Sequence, residues 1–188
     1  SRTPIREAFR QLSQEGLVSI TPFRGASVFT LKPGELNDLI DFRELIECKA
    51  LEIAMQENHK ALVDEVDAIM ARMARAVEDH DVRSYLAGDT ALHLAIVNSA
   101  RNQYITKGNA LIASKMAAVR TALGRDRDIF EGSWNTHQEL CNLFKSGDIP
   151  AARKRLSKHI LDGKTLFANF NDRLNGPKGA RPEHPETA

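Results

Sequence analysis

The sequence predicts a mostly α-helical protein in two parts: a front segment of one helix and a two-stranded ribbon, then an all-α bundle. Three observations predict it. Apolar residues recur at helical spacing through nearly all of the chain beyond Pro33. Short extended runs flanked by turn-forming residues occur only near the front. The stretch Leu31-Lys32-Pro33-Gly34 separates the two regimes and reads as a domain boundary, dividing residues 1–32 from 33–172. A chain of 188 residues can bury a sizeable core.

The front helix, SRTPIREAFRQLSQEG, has Ser1 as N-cap, Pro4 in the first turn and Gly16 as its stop. Ile5, Ala8, Phe9 and Leu12 form an apolar stripe expected to be buried, which leaves Arg2, Thr3, Arg6 and Arg10 on or near the exposed face. Arg10 alone reads as a solvated surface residue. Two extended runs follow, Leu17–Ile20 and Ala26–Phe29, joined by Thr21-Pro22-Phe23-Arg24-Gly25. A helix with arginines weighted to its N-terminal turns, then a basic-tipped ribbon, is the second half of a winged helix-turn-helix, whose recognition helix enters the major groove by that end. Charge agrees: residues 1–32 carry five Lys and Arg against two Asp and Glu, while 33–172 sum to about minus three.

SRTPIREAFRQLSQEGLV followed by RGASV resembles the recognition helix and wing of the GntR family of bacterial transcription regulators. The resemblance implies that Arg2, Thr3, Arg6 and the wing-tip pair Arg24-Gly25 contact operator DNA, with Ser1 heading the helix. The two helices that precede this one in the family are not in the chain, which starts without Met inside a helix. An N-terminal segment is therefore expected to be missing, with DNA binding weak in the fragment and strong in the full-length protein.

Beyond Pro33 the spacing predicts helices at about 35–57, 61–80, 83–100, 102–123, 133–146 and 149–172. Gly147 ends one helix and Asp148 caps the next. The end, NGPKGARPEHPETA, offers almost nothing to bury, so residues 173–188 read as a disordered tail with His184 a bystander. Cys48 and Cys141 lack metal or disulfide spacing and read as buried thiols in a reducing compartment. No long apolar run or signal peptide is present, so a soluble cytoplasmic protein with no membrane partner is expected.

Four polar residues interrupt apolar stripes. Asp89 and His93, four apart, fall on the stripe carrying Leu86, Ile96 and Ala100. His137 falls on the Trp134, Leu140, Cys141 and Phe144 face; His159 falls on that of Ala152, Leu156, Gly163 and Phe167. A lone histidine on such a face is usually a satisfied core residue. Four inward polar groups on three helices are different, because leaving each unsatisfied costs on the order of 1–3 kcal/mol. A shared cation removes that cost. His59 and His80 lie near helix ends and carry no such signal.

The run DFRELIECKALEIA, then Asp89-x-x-x-His93, His137 and His159, behind the winged-helix pattern, resembles the FCD effector domain of the FadR subfamily. In its metal-binding members the Asp and three His at these positions hold a divalent cation, so the resemblance implies a metal here, zinc first, with nickel and manganese as alternatives. Such a set leaves room on a five- or six-coordinate ion for a small carboxylate effector. On helix 35–57, Arg43 sits in the stripe of Leu36, Leu39, Ile46, Ala50 and Ile53, where it either clamps that carboxylate or pairs with Glu47 or Asp89. Asn109 and Arg120 border the apolar face of helix 102–123 as weaker effector candidates, with Arg120 expected at the surface.

The expectation is a ligand-responsive repressor that senses a small organic acid, dimeric by resemblance and bound to a palindromic operator. Two rivals are a metal-dependent enzyme acting on a small carboxylate, with Glu44 or Glu47 as its acid or base, and a helical domain with a purely structural metal.

Overall fold

The computed structural model describes residues 2–14, 17–21, 25–28, 33–123 and 127–175. The protein is mostly helical: a partial winged helix-turn-helix leads into an all-α bundle. The first helix, α1, spans Arg2–Gln14, and the ribbon pairs β1 (Val18–Thr21) antiparallel with β2 (Gly25–Val28). Its register sets Val18 opposite Val28 and Thr21 opposite Gly25, whose φ of +91° favours glycine at the turn. Ser1, Gly16 and Arg24 lie outside the described residues, as do 29–32 at the expected boundary.

Six helices follow: α2 (Pro33–Glu57), α3 (His59–Glu78), α4 (Val82–Ser99), α5 (Gln103–Leu123), α6 (Arg127–Ser146) and α7 (Ile149–Asn175). Side-chain caps start α4, α5 and α7. Asp81 accepts from the Ser84 amide at 3.0 Å, Asn102 from the Tyr104 amide at 3.0 Å, and Asp148 from the Ala151 amide at 2.9 Å, the last just after Gly147 at φ +73°. His59 is tied from the start of α3 to the Phe144 carbonyl of α6 at 2.6 Å.

Four expectations need correction. The stripe on α1 is amphipathic but exposed: Ile5 is 59% accessible and Phe9 41%, since among the described residues the main neighbour of α1 is the four-residue β1. Helix α6 begins at Arg127 rather than near 133, because Gly132 lowers helix propensity without breaking the helix. Helix α7 runs to Asn175, three residues into the expected tail; 176–188 lie outside the described residues. On α2 the most buried line runs Leu36, Ile40, Arg43, Glu47, Leu51 and Ala54, rotated by a residue from the expected one, so Glu47 is inside.

Helix α4 is the axis of the bundle. It packs on α2, α3 and α5, and is buried on most of its circumference. It approaches α3 so closely that a Cβ at Gly88 would lie 2.3 Å from Met73 Cγ. Asp89 is the next residue, so this contact also sets the depth of the polar cluster. Gly88→Ala should lower stability by about 1–2 kcal/mol, overpacking outweighing the better helix propensity of alanine. Urea unfolding measures it; an unchanged midpoint would mean that Met73 yields freely.

Candidate metal centre

Asp89 and His93 come from α4, His137 from α6 and His159 from α7, and one ligating atom of each lies within 4.8 Å of the others. Asp89 and His93 are buried one helical turn apart, His137 is fully buried, and His159 is half-buried. His137 Nε2 stands 3.2 Å from Asp89 Oδ1, and His93 Nε2 stands 3.9 Å from the same oxygen. His159 Nε2 faces His93 Nε2 at 3.4 Å, with the two rings stacked 4° from parallel. All four expected ligands are thus brought to one point.

The surrounding contacts decide which ring nitrogens face that point. Glu47 Oε2 lies 2.6 Å from His93 Nδ1, and Glu47 Oε1 takes Arg43 Nε at 2.6 Å. Burial opposes the Glu47 charge, but Arg43, His93 and Arg120 outweigh it and hold the carboxyl at about 2. An ionised carboxylate only accepts, so His93 Nδ1 carries the proton and Nε2 presents its lone pair to the cluster. Burial, helped by the Arg43 charge, brings the His93 imidazole down to about 4, and burial with the neighbouring histidines holds His159 well below its usual range. Both rings are neutral, as ligands must be. On the other side, the buried Tyr85 hydroxyl lies 3.2 Å from His137 Nδ1 and leaves Nε2 towards Asp89.

Arg120 is not at the surface as expected. Its Nε lies 2.8 Å from Asp89 Oδ2, with the side chain only 14% exposed. Burial alone would raise the Asp89 carboxyl, but Arg120 and the histidines hold it well below the usual carboxylate range; burial and Arg43 bring Arg120 itself to about 10. The pair is close but poorly aligned: neither Arg120 Nε nor Asp89 Oδ2 makes a hydrogen bond among the described residues, and His137 Nε2 also makes none. These atoms are charged or polar, buried and close, yet not directed at one another. A divalent ion suits this donor set, since ligands about 2.0–2.2 Å from one ion lie roughly 3–4 Å apart.

Arg43 is buried as expected and pairs with Glu47, while its Nη2 makes no hydrogen bond among the described residues. Asn109 is buried on α5 but has no described hydrogen bond to the cluster. Of the DNA-contact candidates, Arg2, Thr3 and Arg6 lie in the first turns of α1, with Arg6 exposed, and Gly25 opens β2. The sequence offers Glu47 only as a partner for Arg43 or an acid–base group, and it does not single out Tyr85. Both lie one turn from an assigned residue, Glu47 from Arg43 and Tyr85 from Asp89, which is the signal that finds them. Cys48 and Cys141 are buried free thiols; burial raises them to about 12 and about 11, aided by Glu44 and Asp67, so neither is a ready ligand.

The FCD domain family matches residues 38–162, from early α2 to the middle of α7. The chain belongs to that family. With winged-helix elements ahead of its FCD domain, it is a transcription regulator, and it shares its fold with GntR structures. It is similar to an uncharacterized HTH-type transcriptional regulator in an unstable DNA locus of Streptomyces ambofaciens, 28% identical over 170 residues, 85% of this chain and 67% of that protein. It is also similar to the gluconate operon transcriptional repressor of Bacillus licheniformis, 25% identical over 177 residues, 92% of this chain and 68% of that protein. A GntR structure from Rhodococcus sp. RHA1 has the same fold, with a TM-score of 0.79 at 17% identity over 90% of this chain and 81% of that one. No described helix is long and apolar enough to cross a membrane.

Glu47→Gln should weaken metal binding about 10–100-fold, because a neutral amide no longer fixes the His93 tautomer. Competition with a chromogenic chelator measures this. Wild-type affinity in that variant would remove Glu47 from the site.

Proposed function

We propose that the protein is a transcription repressor whose FCD domain holds one divalent ion on Asp89, His93, His137 and His159 and senses a small carboxylate through that ion and Arg43. The observation that carries the reading is the convergence of these four side chains in an apolar bundle, with the Nε2 lone pair of His93 turned inward by Glu47. When bound, the ion supplies a Lewis-acidic centre for carboxylate oxygens. Zinc is the first candidate, and nickel or manganese fit the same nitrogen and oxygen donors. Four protein ligands leave open positions on a five- or six-coordinate ion, which distinguishes a sensor from a structural site.

Each residue then has a role. Glu47 and Tyr85 orient His93 and His137, Arg120 steadies Asp89, and Arg43 offers Nη2 to the acid while Glu47 holds its Nε. Asn109 remains a candidate for the effector's distal part. The enzyme reading loses support because Glu47, one of its two candidate acids or bases with Glu44, is committed to Arg43 and His93. The relatives are regulators, one of them a gluconate operon repressor, which agrees with an acid effector.

At the DNA end, Arg2, Thr3 and Arg6 in the first turns of α1 and Gly25 of β2 contact the operator, together with Ser1 and Arg24, and a homodimer places two such helices on a palindrome. Effector binding changes operator affinity only by favouring one arrangement of the dimer. A cytoplasmic location follows from that role.

In the full-length protein, Arg6→Ala should weaken operator binding by about 1–3 kcal/mol if it reads a base edge. Gel-shift titration checks this, and unchanged affinity would remove α1 from the interface. Stripping the metal with a chelator should abolish the effect of organic acids on operator affinity; a response that survives metal removal would contradict the sensing scheme.

A further inference from the structure

Two guanidiniums and two carboxylates meet at the candidate centre: Arg43 with Glu47 at 2.6 Å and Arg120 with Asp89 at 2.8 Å. Their charges cancel one for one, and ligating imidazoles are neutral. A divalent ion therefore adds two positive charges that these residues do not balance. Leaving charge uncompensated in a buried site is costly.

The donors show where a second anionic group would go. Arg43 is 6% exposed, and its Nη2 makes no hydrogen bond among the described residues although Nε is taken by Glu47. Arg43 stands one carboxylate and one imidazole from the ion position, through Glu47 and His93. A monocarboxylate on the ion would offset one charge and leave the Nη2 donor unused.

We infer that the effector is a dianion, a short dicarboxylate with one carboxylate on the metal and the other on Arg43 Nη2. This rests on the acid-sensing reading above and narrows its ligand class. The two anchors are separated by a single carboxylate–imidazole step, so the two carboxylates of the acid are close together.

The test is calorimetric titration of zinc-loaded full-length protein with acids paired by carbon number: malonate against propionate, and succinate against butyrate. The expected result is a dicarboxylate binding at least about tenfold more tightly than its partner, the value of one added charge-assisted contact. Arg43→Lys keeps the charge beside Glu47 but loses the planar second donor, so it should bring the ratio towards one while retaining zinc. Monocarboxylates binding as tightly as their partners would overturn the dianion and leave acid sensing intact. Undiminished selectivity in Arg43→Lys would also overturn it. If no acid binds, or if binding is the same after chelation, acid sensing through the metal fails and takes the dianion with it.

Discussion

Burying a carboxylate and three imidazoles at one point in an apolar bundle is unfavourable unless their lone pairs share a partner. Much of the core is arranged around that constraint. Glu47 fixes the protonated nitrogen of His93, Tyr85 occupies the outer nitrogen of His137, and Arg120 holds Asp89 ionised. These contacts all come from outside the cluster and leave Nε2 of His93 and of His137 facing inward. His93 and His159 face each other through their Nε2 atoms, but His137 Nε2, only 3.2 Å from Asp89 Oδ1, makes no hydrogen bond among the described residues, which a shared ion would remedy.

The bundle makes the arrangement rigid. Asp89 and His93 sit on α4, which is seated against α3 by the absence of a side chain at Gly88 and against α2 and α5 on its other sides. His137 and His159 arrive on α6 and α7, which pack on each other, and α7 also lies along α2. The helix carrying Arg43 and Glu47 therefore touches the helices carrying Asp89, His93 and His159. Under the proposed function, a shift of α2 on ligand binding would be felt by the segment leading back to the winged helix.

The polar cluster was legible because each member breaks an apolar stripe, and a polar residue at helical phase among Leu, Ile and Phe is visible without coordinates. The ribbon and most helix limits were legible from caps such as Asp148 after Gly147. Periodicity was weaker on α2, where half-buried Leu39 and Ile46 flank the true line and hide the inward position of Glu47. Arg120 was misplaced for a related reason: a long side chain at the edge of a stripe can reach inward as readily as outward, and only its neighbour Asp89 decides. The stripe on α1 was read correctly as amphipathic but wrongly as covered, since periodicity reports that a face is apolar and not what lies against it.

The central claim is that one divalent ion is held by Asp89, His93, His137 and His159. X-ray absorption spectroscopy of the zinc-loaded full-length protein tests it most directly. The expected result is one ion per chain with an all nitrogen and oxygen shell that includes three imidazoles at about 2.0–2.1 Å. A sulfur shell near about 2.3 Å, or zinc that washes away without a defined shell, would contradict it.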